Sequence, residues 1–286
     1  MKEKIRLSPV EETLLIPLYM RAKESSRKDA ILHDNLACKL VESIDYDFKK
    51  FDKSSMSALG CVIRGRYFDN KVKNFIEKKT APIVVNIGCG LDTRYQRLNV
   101  KQGTVFYELD LPEVMQLRER LFPPYESNDI PLAASLLETE WMDQLRSKHP
   151  NSYFIFTIEG VLMYFYEKQV KALLEHLATR FPGGEIHFDL CGTMFTKKKV
   201  KNDSVKHTNA YFRCGIDDGK IIEEWIPQLT MIENHSYMDF EKKRWGIMGV
   251  LLRCMPQLSR KFSSIVGYEI KESPKLASIL ISKQIM

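Results

Sequence analysis

The chain has 286 residues, 44% apolar and 28% charged, an ordinary globular composition that can bury a sizeable core. Its formal net charge of +6 is small for this length, and no basic stripe interleaved with aromatics is present, so a nucleic-acid groove is not expected. The six cysteines form no CxxC pair and the histidines no HxxxH, which argues against a structural zinc or a disulfide framework and for reduced thiols in a cytoplasmic protein. The basic run Lys197-Lys198-Lys199 with Lys201 reads as a solvated loop. The N-terminal stretch lacks an apolar signal core and no apolar run reaches the length of a membrane span, so no membrane partner is expected.

In chain order, residues from about 9 to 78 read as helical. Val10, Leu14, Leu15, Leu18 and Tyr19 form one apolar stripe, Leu36, Leu40 and Val41 another, and Val72, Phe75 and Ile76 a third. Ile83-Val84-Val85-Asn86-Ile87 is a continuous apolar run of the kind found in buried parallel strands. Val105–Asp110 predicts a second strand, followed by a helix opened by Pro112 and Glu113. Strands are predicted again at Ile130–Ser135, Tyr153–Ile158 and Gly184–Leu190, with an amphipathic helix at Gln169–Thr179. This alternation predicts a doubly wound, mostly parallel sheet covered on both faces. Residues 191–262 break the rhythm, and Ile265–Ile270 with Ala277–Ser282 read as an antiparallel hairpin.

Three features carry chemistry. Gly88-Cys89-Gly90 ends the first strand, where glycines let a ligand approach the backbone. A nicotinamide fingerprint wants a third glycine at position 93, and Thr93 stands there. Asp110 ends the second strand 20 residues after Gly90, the place for an acid that accepts from ribose hydroxyls, each such bond contributing roughly 1.5–3 kcal/mol. It also suits an N-cap, whereas strand alternation aims Glu108 elsewhere. Glu159 follows the fourth strand, either beside a cofactor or capping the next helix.

The string from Val84 to Arg94, with Arg97-Leu98 after it, resembles motif I of the leucine carboxyl methyltransferase family. The resemblance extends to Pro17–Ala22, Arg64–Asp69, Tyr107–Pro112 and Glu159–Tyr164, in the family's order. It implies a class I, Rossmann-like methyltransferase fold with a seven-stranded sheet, S-adenosyl-L-methionine (SAM) as cofactor and oxygen as methyl acceptor. By resemblance, Gly88, Cys89 and Gly90 line the methionine and ribose of SAM, and Asp110 and Leu111 flank the ribose. Arg64, or Arg66 two positions on, pairs with the SAM carboxylate, and Arg21 is a second candidate. Ser135 and Leu136 stand where the family carries an Asp-Leu pair at the adenine, and Glu159 lies near the cofactor. Asp92 and Arg94 either brace the loop against the sheet, the plainer reading, or contact the cofactor directly.

The resulting division is a helical cap over 1–78 and a SAM-binding domain over 79–286, with 191–262 forming much of a substrate lid. A carboxylate acceptor, on a small molecule or a peptide C-terminus, is ionised at neutral pH and needs no base, so no single catalytic base and no metal are predicted. Tyr19, Tyr164, His187 and Arg213 are acceptor-side candidates for which core packing is the plainer reading. Phe195, Tyr211, Phe212, Trp225 and Trp245 grip an apolar acceptor or form the lid's own core. A nicotinamide-dependent oxidoreductase and a non-catalytic SAM-binding protein remain alternatives.

Overall fold

A computed structural model describes residues 2–5, 8, 10–98, 100, 103–197, 203, 205–208 and 210–272. The apolar runs become strands β1 (Pro82–Ile87), β2 (Val105–Asp110), β3 (Asp129–Ala133), β4 (Tyr153–Ile158) and β5 (Glu185–Cys191), joined by β6 (Leu229–Ser236) and β7 (Ser263–Ile270). They form one seven-stranded sheet in the order β3-β2-β1-β4-β5-β7-β6. The first five are parallel, and β7 runs antiparallel between β5 and β6. The strand order reverses between β1 and β4, and a doubly wound sheet opens its ligand crevice at such a point.

Helices cover both faces. The cap comprises α1 (Leu15–Ser25), α2 (Asn35–Ser43) and α3 (Ser55–Lys78). Asp34 caps α2 by accepting from the Ala37 N–H at 2.9 Å. Val72 and Phe75 of α3 pack on Val84, Phe106 and Ile155, which seats the cap on the sheet. On the same chain, α4 (Arg94–Leu98) follows the glycine loop and α5 (Pro112–Leu121) follows β2 with Pro112 at its start. The other face buries α6 (Glu140–Lys148) and α7 (Glu167–Arg180), whose Trp141, Leu173 and Leu177 join Phe154, Phe156 and Ile186 in the largest core cluster. Each fully buried side chain of this size contributes roughly 1.5–3 kcal/mol. Short helices α8 (Ile221–Trp225), α9 (Gly246–Arg253) and α10 (Pro256–Phe262) complete the described chain.

The far end of the chain differs from the sequence reading. Ile265–Ile270 does form a strand, but its two neighbours are β5 and β6, and β6 is drawn from inside the segment read as lid. The second arm of the expected hairpin, Ala277–Ser282, lies outside the described residues, as do Lys198, Lys199 and Lys201. The alternation of β6 is masked because it is an edge strand with a register shift between Met231 and Glu233.

Candidate active site

The carboxyl ends of the parallel strands open on a cavity of about 980 Å3. Its floor starts at the loop after β1. Gly88 (φ +67°) and Gly90 (φ +49°) both take left-handed backbone conformations. A Cβ on Gly88 would lie 2.5 Å from Val161 Cγ2, and one on Gly90 2.7 Å from Leu14 Cδ2. Only glycine fits, and the loop therefore offers bare backbone to the cavity. Cys89 is buried between them, with its thiol raised well above the ordinary value by burial.

Asp110 ends β2 against this loop. Its Oδ2 accepts the Gly90 N–H at 2.7 Å and its Oδ1 the Leu111 N–H at 2.8 Å. Burial raises its pKa, and those two N–H groups oppose the rise. Each carboxylate oxygen keeps capacity for a second donor, so the group still has acceptors to give a diol. Leu111, Val114, Ala134, Ser135 and Leu136 line the cavity alongside, an apolar slot with one hydroxyl. The Ser135 Oγ accepts the Leu137 N–H at 3.3 Å, which leaves its proton to donate.

Arg64 reaches the cavity from α3. Its Nε donates to Glu159 Oε1 at 3.1 Å and its Nη1 to Asp189 Oδ2 at 2.9 Å. Its Nη2 lies where a Cβ on Gly160 would approach to 2.7 Å. Burial pushes the guanidinium down, but Asp189, then Tyr237 and Glu159, hold it well above its ordinary value, so it stays charged. Asp189 also accepts the Gly160 N–H at 2.6 Å and the Tyr237 hydroxyl at 3.2 Å.

Behind the floor stands a buried lattice of charges. Arg94, fully buried, donates to Asp69 Oδ1 at 2.9 Å and to Asn86 Oδ1 at 3.0 Å, pairs with Asp92 at 3.0 Å and hydrogen-bonds Glu159. Arg97 Nη1 joins Asp92 at 2.8 Å and Asp34 at 3.2 Å. Burial would raise the Asp92 pKa, but Arg94, Arg97 and Arg21 outweigh it and hold the group well below the usual carboxylate range. The register across β2, β1 and β4 aligns Glu108, Asn86 and Thr157 in one polar row beneath the loop. Arg118, fully buried on α5, donates through Nη1 to the carbonyls of Gly90 (2.8 Å) and Asp92 (2.7 Å). Asp92 and Arg94 are thus braces, and the loop is held from below.

The structure separates the three candidate arginines. Arg64 lines the cavity. Arg66 does not; it pairs with Glu241 at 2.8 Å with its side chain 39% exposed, which corrects its assignment as a cofactor ligand. Arg21 lines the cavity, but its Nε is held by Asp34 at 2.8 Å and its Nη2 by the Leu91 carbonyl at 2.8 Å. Among the acceptor-side candidates, Tyr164 and Arg213 line the cavity, whereas Tyr19 bonds Asp52 and His187 is buried beside Glu185. Of the aromatics, Phe195, Tyr211, Phe212 and Trp245 line it, and Trp225 packs against the main core instead. The sequence reading did not nominate Asp189, Tyr237 or Arg118; the one signal was an acid in the otherwise apolar end of β5.

The sequence profile of the leucine carboxyl methyltransferase family matches residues 15–178, more than half of the chain. The chain belongs to the leucine carboxyl methyltransferase family. The family match takes in the glycine loop, Asp110, Arg64 and Glu159. Tetracenomycin polyketide synthesis O-methyltransferase TcmP of Streptomyces glaucescens is 28% identical over 265 residues, covering 90% of this chain and 96% of the relative. S-adenosyl-L-methionine-dependent methyltransferase dpfgK of Gibberella zeae is 26% identical, covering 94% and 97%. Two solved structures share the fold. A Streptomyces avermitilis protein of the duf574 family has a TM-score of 0.59 at 10% identity, covering 90% of this chain and 97% of its own. A Thermobifida fusca protein described as a methyltransferase has a TM-score of 0.56 at 11% identity, covering 88% and 94%.

This member of the family is a SAM-dependent methyltransferase with the class I fold. The nicotinamide alternative falls with this membership. SAM suits the residues present: a bare backbone floor, a carboxylate with spare acceptors, an apolar slot and a charged guanidinium share one cavity.

Proposed function

We propose that this enzyme methylates an oxygen, a carboxylate, on a small apolar acceptor. The carrying observation is that one continuous cavity is lined by two unlike sets of residues. One is the glycine loop, Asp110 and Arg64; the other is Met56, Met194, Phe212, Met238 and Trp245. A volume of about 980 Å3 is at the upper end for a small-molecule site, enough for a cofactor and an acceptor together.

Bound SAM supplies a sulfonium whose methyl group is electrophilic. In this reading Gly88, Cys89 and Gly90 give backbone contacts along the methionine and ribose, and Asp110 with Leu111 receives the ribose hydroxyls. Ser135 and Leu136 border the adenine. Arg64 binds the SAM carboxylate through its planar fork, with Glu159 and Asp189 fixing its plane. Arg21 acts one step back, holding the Leu91 carbonyl. The cap over 1–78 supplies Arg64 and Met56, and 191–262 supplies the rest of the apolar wall. That wall excludes water from the reacting oxygen and aligns it. Arg213, whose guanidinium lies 5.0 Å over the Tyr166 ring, offers a cation to an anionic acceptor. A carboxylate enters ionised and asks no side chain for proton transfer. Tyr164, pushed up to about 12 by burial, stays a neutral hydroxyl that can donate to it. We place the enzyme in the cytoplasm, where its six free thiols persist.

The test is turnover of methyl-labelled SAM against matched aromatic acids and alcohols. The acids are expected to give base-labile methyl esters. Methylation of the alcohols alone, or a base-stable product, overturns the carboxylate assignment.

A further inference from the structure

Five of the large apolar side chains exposed on this protein fall within twelve residues. Ile247 (81% exposed), Val250 and Leu251 stand out from α9, and Met255 and Leu258 from α10 and its approach. Positions 247 and 251 share one face of α9, and the exposed apolar stripe resumes at Met255 and Leu258 after the helix breaks at Met255. The opposite side is anchored: Leu252 and Ser259 are buried, and Trp245, Ser259 and Phe262 line the active-site cavity. Of the two helices, α10 therefore borders the cavity, through Ser259 and Phe262, while α9 continues the exposed apolar surface beside it.

Charge accompanies this stripe. Residues 242–268 hold six basic side chains, Lys242, Lys243, Arg244, Arg253, Arg260 and Lys261, and no acid before Glu269. That +6 equals the formal net charge of the whole chain. Arg244 is taken by Glu24 at 2.6 Å, and Arg253 donates to the Lys242 carbonyl at 3.2 Å. Lys242, Lys243, Arg260 and Lys261 are exposed. A second copy of the chain docked about a two-fold axis would bring these cationic side chains against one another. Exposed apolar side chains with exposed lysine and arginine before and after them in the chain match the acyl–headgroup boundary of an anionic bilayer.

We propose that the α9–α10 face docks peripherally on an anionic lipid surface. No helix of the described residues is long and apolar enough to cross a membrane, so the contact lies in the interface plane. The expectation of no membrane partner rested on the absence of a span, a test blind to a surface contact. Docking stands whether or not the acceptor is a carboxylate. It also sets the cavity wall against the phase into which an apolar acceptor partitions.

The test is co-sedimentation with vesicles of phosphatidylcholine alone or mixed with phosphatidylglycerol. Binding is expected to the mixed vesicles only, and to fall as salt shortens the Debye length below about 8 Å. Lys242→Glu with Lys243→Glu is expected to weaken it by about thirty-fold or more. Ile247→Glu with Leu251→Glu is expected to weaken it on the order of ten- to a hundred-fold. Both pairs are exposed, and unchanged thermal melting and SAM affinity would show that the fold and the cofactor site are intact. No binding to mixed vesicles, or binding that survives both double variants, overturns the proposal. So does a dimer in light scattering that Ile247→Glu with Leu251→Glu dissociates, which would assign the face to a second copy.

Discussion

Asp110 serves two masters, the Gly90 N–H on one oxygen and the Leu111 N–H on the other. Asp110→Ala should therefore weaken SAM binding on the order of ten- to a hundred-fold by titration calorimetry, the equivalent of one lost charge-assisted bond. Unchanged affinity would remove the ribose assignment. Glu108 carries a different consequence. Burial pushes it up to about 7, against the pull of Arg118, whose Nη2 is 3.7 Å away. A carboxyl raised on folding stabilises the protein below its ordinary value of about 4.5, and that stability is lost as pH rises through about 7. Urea unfolding of Glu108→Gln should lack this loss, so the gap between variant and wild type should change by about 1–3 kcal/mol between pH 5 and pH 8. A constant gap would mean that Glu108 does not titrate there. Gly88, Gly90, Asp110 and Glu159 were legible because each sits at a strand end whose position follows from hydrophobic periodicity, whereas Arg21 and Arg64 lie on helices and came only from the family resemblance. Choosing between Arg64 and Arg66 was not legible, since residues two apart on a helix point to different faces and only the cap's docking decides which one turns inward. Asp189 and Tyr237 had no motif to mark them; tertiary packing brings them to Arg64.

At the level of elements, the turn from β4 into the short helix at Leu162–Tyr164 controls Arg64. Gly160 has φ +72°, and an added Cβ would meet Arg64 Nη2 at 2.7 Å. Gly160→Ala is expected to raise the KM for SAM more than it lowers kcat, with a stability cost of roughly 1–3 kcal/mol from the strained backbone. Equal effects on both parameters would argue against a role in cofactor binding. The α4 brace makes a harsher prediction. Arg94→Met removes one buried cation from Asp69, Asp92 and Glu159 and leaves the first two to Arg97 and the third to Arg64, so denaturant unfolding should show about 3 kcal/mol lost. Among the parallel strands, β1 and β4 were the most readable because strands buried on both faces are nearly all apolar, whereas β3 is an edge strand partly exposed along its length. β6 was read as lid because its edge position lets polar side chains alternate irregularly around a register shift.

For the molecule as a whole, the proposed cofactor placement would join the N-terminal helices to the sheet, since Arg64 comes from α3 and Asp110 from β2 and both line the one cavity. SAM at about 100 times its dissociation constant should raise the melting temperature by about 5 °C, and NAD should not. An equal rise with NAD would contradict the cofactor assignment. The insertion of β7 between β5 and β6 also has a consequence for biosynthesis. Until residues 263–270 leave the ribosome, β5 keeps a row of unpaired backbone groups along one edge, and Asp189 sits on that open strand. A nascent chain at this stage has synthesised β1 to β6 but not the strand that joins β5 to β6, and so presents a sticky border to any extended polypeptide nearby. Late synthesis is thus the interval in which this protein most needs a chaperone's cover.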